Sequence, residues 1–195
     1  MVEPAKAEAQ KTPNSLRLTL WVLLVVYIFN FLDRQIVNIL AEPISRDLGL
    51  SDTQIGLMTG IAFAAFYTFL GIPIARYADR PKTNRVGLIS VSLIIWSGMT
   101  ALCGMAQNFA QLLLARIGVG VGEAGCTPAA HSLIADLAPP EKRASAISFY
   151  SLGIPIGSLL GMLIGGLVAD AYGWRAAFLI AGLPGLTLDD WKRNL

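Results

Sequence analysis

The sequence predicts an all-α, polytopic transmembrane helical bundle, and three observations predict it. Charged residues make up only 14% of the chain, against about 25% in soluble domains. Apolar stretches long enough to cross a bilayer recur along it, and the mean hydropathy is +0.59. Lysine and arginine gather at alternate turns between those stretches.

Residues 1–16 are polar and carry Pro4 and Pro13. They read as a disordered cytoplasmic tail and not as a cleavable leader, because the apolar stretch that follows is too long and no small-residue cleavage pattern ends it. About 20 apolar residues cross ~30 Å of hydrocarbon. On that measure the chain divides into a bundle of six candidate spans over 17–188, at about 17–41, 52–77, 85–106, 109–137, 144–169 and 174–188. Pro43 and Gly49 are expected to break the chain after the first span, and Pro81 marks a charged loop after the second. Ser51-Asp52-Thr53-Gln54 reads as a helix start whose side-chain oxygens cap free N–H groups. Asn108 marks a tight return, Pro139-Pro140 ends the fourth span, and Gly173 precedes the sixth. The sixth is short: the whole of 174–188 reaches only ~22 Å as a helix. It runs into a charged C-terminal end, residues 189–195.

Orientation follows from the basic residues. With the tail in the cytoplasm, eleven lysines and arginines fall on that side, and only Arg46 and Arg175 fall outside. The expected location is therefore the cell (inner or plasma) membrane, multi-pass, with the N-terminus cytoplasmic and lipid as the surrounding partner. Arg34 and Arg116 belong to neither side and are placed in the membrane itself.

An ionised side chain in hydrocarbon costs at least ~2.5–3.5 kcal/mol, so Asp33, Arg34, Arg116 and Glu123 need partners, a wet cavity or a proton. Asp33 lies ~24 Å from the cytoplasmic end of the first span, and Arg116 lies ~10 Å deep from the outer end of the fourth. The two are at similar height. Glu123 is two turns deeper than Arg116 and nearly on the same face. Asn30, one turn before Asp33, adds a polar group. This cluster reads as a proton-coupled substrate site. A carboxylate in a low-dielectric cavity resists ionisation and can load and release protons near neutral pH. Arginine stays charged and offers a planar fork to phosphate or carboxylate. Asp33 and Glu123 are the proton-coupling candidates; Arg34, Arg116 and Asn30 are the substrate-binding ones. The same residues also suit static ion pairs, Asp33 with Arg116 or Arg34 with Glu123, that tie two helices together. His131, two turns beyond Glu123, reads as a packing residue or a proton relay. Asp136 reads as a helix-end or gate contact with the basic loop.

The fifth span carries Gly153, Gly157, Gly161 and Gly165, four apart, which make one smooth ridge for close helix packing. Pro155 adds a kink. Gly118, Gly122 and Cys126 form a similar ridge on the fourth span. The pattern excludes other classes. No nucleophile–base pair, metal-ligand set or phosphate-cradling loop appears, so no enzyme, cofactor or metal is expected. A net charge of +2 is too small to argue for nucleic acid. Cys103 and Cys126 fall inside apolar runs and read as packing residues rather than a disulfide.

The stretch Ala75-Arg76-Tyr77-Ala78-Asp79-Arg80-Pro81 through Arg85 resembles the loop signature of the major facilitator superfamily, with Asp79, Arg80 and Arg85 in its acidic and basic positions. Ala75 stands where glycine is usual, and Lys82, Thr83 and Asn84 replace a glycine and two basic residues. Arg116-x-x-x-Gly120 resembles the fourth-helix signature, and Gly173-Trp174-Arg175-Ala176-Ala177-Phe178 the start of the sixth helix. Within that superfamily the chain is similar to spinster-type transporters. The residues that carry this are Asn30-Phe31-Leu32-Asp33-Arg34, Gly118-Val119-Gly120-Val121-Gly122-Glu123-Ala124, Leu133-Ile134-Ala135-Asp136 and Ile154-Pro155-Ile156-Gly157-Ser158.

The resemblance covers residues 20–186. It implies alternating access, with export of sphingosine-phosphate or lysophospholipid-like amphiphiles in eukaryotic members. It also implies that Asp33 and Glu123 are proton-responsive acids and Arg34 a substrate contact. Complete members have two six-helix halves with the substrate between them, and the acidic residue of the loop signature, here Asp79, docks on the second half. Only the N-terminal half is present in this sequence. Two readings follow: a proton-coupled secondary transporter of an anionic or amphipathic small molecule, or a non-transporting fragment or half-transporter that needs a homodimer partner or a full-length relative.

Overall fold

The computed structural model describes residues 13–187. The expected disordered tail lies outside them up to residue 12, and the charged end at 189–195 lies wholly outside. Every long element is a helix, and no strand occurs among the described residues.

Helix α1 spans Pro13–Leu48. It begins inside the stretch expected to be tail, with Pro13 at a position where a missing N–H costs nothing. It also runs through Pro43, which was expected to end it. The stop comes at Gly49, whose φ of +64° is the left-handed conformation that terminates helices. There Leu50 N–H donates to Ser45 O at 3.0 Å, and Ser45 Oγ donates to Leu50 O at 2.8 Å. These bonds hold the last turn together one turn beyond the proline.

The second span starts at Ser51, which accepts from Gln54 N–H at 3.3 Å while Gln54 Oε1 accepts from Ser51 N–H at 3.0 Å. It consists of α2 (Asp52–Gly56), a π-helical turn (Leu57–Ile61) and α3 (Ala62–Ala78). Helix α4 (Arg85–Gly104) is capped by Asn84, and α5 (Phe109–Leu137) by Asn108. A 3-10 turn at Pro140–Lys142 leads to α6 (Arg143–Ser151) and α7 (Gly153–Thr187). The α6–α7 break at Leu152 falls inside the span expected at 144–169. Proline at 155 has no N–H for the Ser151 carbonyl, and the helical ladder resumes with Ile156 N–H donating to Leu152 O at 3.3 Å.

Five stretches among the described residues are long and apolar enough to cross a membrane, and the last covers Pro140–Leu183. That stretch turns back on itself at Gly173, where φ is +83° and ψ is 164°. Before Gly173, α7 runs parallel to α1, with Gly157 beside Ile28 and Phe31 and Gly165 beside Ile36. After it, the second arm runs antiparallel to α4, with Arg175 and Phe178 beside Gly104 and Gly182 beside Ser97 and Ala101. The glycines allow this proximity. A Cβ on Gly161 would lie 2.7 Å from the Leu32 carbonyl oxygen, and one on Gly122 would lie 2.5 Å from Trp96 N.

The distribution of side chains is that of a bundle in lipid. Phe69, Leu114, Leu167 and Leu183 are exposed, whereas Asn30, Asp33, Arg116 and Glu123 are buried among Val37, Leu40, Trp96, Val119 and their neighbours.

Candidate functional site

The four intramembrane charges come together between α1 and α5 as two crossed ion pairs. Arg116 Nη1 donates to Asp33 Oδ2 at 3.2 Å. Arg34 Nε and Nη2 both reach Glu123 Oε2, each at 2.7 Å. Helix geometry explains the crossing. Asp33 and Arg34 are neighbours on α1, so their side chains leave about 100° apart. Arg116 and Glu123 are seven residues apart on α5, which puts them on nearly one face and ~10 Å apart along the axis. Asp33 takes the partner nearer the α1 C-terminal end, and the longer Arg34 takes the one two turns away. Both ion pairs that the sequence left as alternatives are therefore made at once.

The two pairs differ in access. Asp33, Arg116 and Glu123 are enclosed, while the Arg34 side chain is 27% exposed. Glu123 also lies within electrostatic reach of Asp33 and Arg116, so the four charges form one system. Several of their atoms lack a partner among the described residues: Asp33 Oδ1, Glu123 Oε1 and Arg116 Nε, together with both amide atoms of Asn30. Each carboxylate thus uses one oxygen and keeps the other for another donor.

Aromatic rings on the first and second spans complete the site. The guanidinium carbon of Arg34 lies 4.9 Å from the Tyr67 ring centroid, 5.2 Å from that of Phe63 and 5.3 Å from that of Phe31. The guanidinium carbon of Arg116 lies 5.3 Å from the same Phe63 ring. Each such contact is worth roughly 0.5–2 kcal/mol. Phe63 and Tyr67 are four apart on α3 and stack at 5.8 Å. Sequence reasoning passed over both, because aromatic residues in an apolar span look like lipid-facing ones. The available sign was that the pair shares one helix face.

The remaining sequence-predicted residues lie elsewhere. His131 is exposed and meets Tyr150 edge-on, with ring centroids 5.5 Å apart. Asp136 pairs with Arg85, whose Nε also donates to the Ala78 carbonyl at 3.0 Å, so Arg85 joins α4 to the ends of α3 and α5. Asp79 and Arg80 are exposed, with Arg80 over the Tyr77 ring at 5.8 Å. The opposite end holds a contact that the sequence did not disclose. Asp47 Oδ2 accepts from Arg175 Nη1 at 2.5 Å and from Trp174 Nε1 at 3.2 Å, and Arg175 Nη2 donates to Ala106 O at 3.2 Å. Cys103 and Cys126 are separate, buried thiols. Among the described residues no group of His, Cys, Asp or Glu is placed to hold a metal ion.

The chain matches the Major Facilitator Superfamily over residues 23–188. It is 42% identical over 167 residues to an MFS-type efflux pump of Mycolicibacterium smegmatis, covering 86% of this chain and 38% of that protein. It is 29% identical over 163 residues to the sphingosine-1-phosphate transporter SPNS2 of Danio rerio, covering 82% and 32%. Among solved structures, a bacterial homolog of the human lysosomal transporter Spinster, inward-facing and unoccupied, superposes with a TM-score of 0.84. It is 40% identical and is covered over 42% of its length by 92% of this chain. The chain thus spans well under half the length of these relatives.

Proposed function

Because the chain belongs to the Major Facilitator Superfamily, as a spinster-like N-terminal half of that fold, we propose that it serves proton-coupled secondary transport of an anionic or amphipathic, lipid-like small molecule by alternating access. The observation that carries this reading is the pair of crossed ion pairs with one open member. Protonation of Glu123 removes the negative charge that holds Arg34. The guanidinium, already the most exposed of the four charges, is then free to bind an anionic group. Asp33 and Arg116 act one layer deeper in the same way. The aromatic wall of Phe31, Phe63 and Tyr67 around Arg34 suits a ligand whose anionic group sits on an apolar body. A relative named for sphingosine-1-phosphate, a phosphate on a long alkyl chain, is in keeping with that chemistry.

The basic-residue bias supports an N-terminus on the cytoplasmic side. Asp79, Arg80 and Arg85 then lie at the cytoplasmic loop, and the glycine ridge on α7 is a surface on which α1 can shift during the transport cycle.

The test is uptake of a labelled long-chain phosphate or carboxylate into proteoliposomes carrying the chain, with and without a pH gradient. Gradient-driven uptake is expected. It should fall about 10- to 100-fold in Asp33→Asn and in Glu123→Gln, the worth of one charge-assisted hydrogen bond. Uptake that persists unchanged in both variants overturns proton coupling through these acids, and absence of uptake under every condition overturns transport by this chain on its own.

A further inference from the structure

The geometry points to Phe63 as the positioning residue of the charge cluster: one ring, held in place by a π-helical turn and a glycine seat, keeps each of two arginines on its own carboxylate. Three independent features carry this. First, the ring is shared. Arg34 and Arg116 lie 5.2 and 5.3 Å from the Phe63 centroid, so the two like charges are within about 10.5 Å of each other with a polarizable face available to both. Glu123 is within electrostatic reach of Arg116 as well as of Arg34, so charge alone does not fix which arginine each carboxylate holds.

Second, the ring has a prepared seat. A Cβ on Gly120 would lie 3.3 Å from both Phe63 Cδ2 and the Phe63 carbonyl oxygen. Gly120 stands four residues after Arg116 and three before Glu123, so the gap it leaves in α5 opens between the two ion pairs. A methyl group there would require the ring to give by a few tenths of an ångström. Third, the π-helical turn at Leu57–Ile61 ends two residues before Phe63. A π turn inserts one residue into the helical register, which rotates everything after it. Phe63 and Tyr67 therefore face Arg34 only because of that insertion.

The titratable groups coupled to this cluster come from five elements. Helix α1 brings Tyr27, Asp33 and Arg34, and α3 brings Tyr67. Cys103 comes from α4, and Arg116, Glu123 and Cys126 come from α5. Tyr150, coupled to Tyr27, Tyr67 and Cys126, comes from α6.

The inference concerns the cluster that the proposed transport uses, but its test does not require transport. The chain is placed in lipid nanodiscs and titrated with pH while the carboxyl C=O stretch is followed by infrared spectroscopy. Bands are assigned to Asp33 and Glu123 by their loss in Asp33→Asn and Glu123→Gln. In Phe63→Leu, the midpoint of at least one of the two bands is expected to move by about half a pH unit or more, whereas Phe63→Tyr, which keeps the aromatic face, should retain both wild-type midpoints. Gly120→Ala should move the same midpoint in the same direction as Phe63→Leu, by less, with the ring still present. The inference is overturned if Phe63→Leu titrates as wild type, or if Phe63→Tyr shifts as far as Phe63→Leu, since volume and not the aromatic face would then matter. Proteoliposomes that fail to transport while these midpoints shift as described would sink the transport reading and leave this one standing.

Discussion

Arg116→Met is expected to destabilise the bundle by about 3–5 kcal/mol, the usual result of removing one member of a buried ion pair. Arg116 and Asp33 are 3% and 1% exposed and 3.2 Å apart, so solvent cannot take the place of the lost guanidinium. What remains is a buried carboxylate that has lost the guanidinium hydrogen-bonded to it. The loss should be read as a lowered midpoint in reversible unfolding from mixed micelles. The double variant Asp33→Asn/Arg116→Met should recover most of it, because two neutral side chains carry no desolvation penalty of that size. A loss below about 1 kcal/mol in Arg116→Met, the range of solvent-exposed pairs, would show that water reaches Asp33.

Two glycine-to-alanine changes are expected to act in opposite directions. In Gly122→Ala the new methyl group would sit 2.5 Å from Trp96 N and 2.8 Å from Trp96 Cα. Both are backbone atoms of α4, so only a movement of the whole helix relieves the clash, and overpacking of this kind costs about 1–3 kcal/mol. Displacing α4 from α5 also disturbs Arg116 and Glu123, which flank Gly122 on α5. Gly98→Ala, on α4, meets nothing within 4 Å. It should be neutral or stabilise the helix by up to about 1 kcal/mol, the gain of alanine over glycine in a helix interior. The same unfolding measurement serves both variants. If Gly122→Ala is stabilising too, the α4–α5 contact is looser than the structure shows.

The helical membrane bundle was legible because hydrophobic length is a blunt property that survives any detail of packing, whereas the expected fifth and sixth spans form one continuous stretch among the described residues. The depth of the charges was legible for the same reason: counting 1.5 Å per residue from two ends is enough to set Asp33 opposite Arg116. What counting could not supply is the choice among partners. Arg34 and Glu123 differ in height by more than one turn, and only the reach of the arginine side chain brings them together. Pro43 misled because a proline inside a helix removes its own bond to the Ile39 carbonyl without ending the helix, which runs on to a last turn that Ser45 and Leu50 close. The π turn at Leu57–Ile61 has no composition of its own, and without it the face shared by Phe63 and Tyr67 cannot be aimed at Arg34. Asp47 escaped notice because its partners, Trp174 and Arg175, are more than 120 residues away. Only the reversal at Gly173 brings them to the end of α1.

The crossed pairs impose an order in time. Arg116 follows Asp33 by 83 residues, and Glu123 follows Arg34 by 89. At roughly 5–20 residues per second of synthesis, α1 exists about 4–18 s before either partner is made. During that interval α1 must enter the bilayer with a carboxylate and a guanidinium that each cost about 2.5–3.5 kcal/mol at its centre. Because the two are adjacent, their side chains leave α1 about 100° apart and do not pair on one face of the lone helix. In an insertion assay on the isolated first span, Arg34→Ala should therefore raise the inserted fraction, whereas a decrease would mean that the two charges offset each other before their partners exist. The adjacency that lets one helix reach two partners in the finished bundle leaves the nascent helix to carry both charges through the seconds when it has neither.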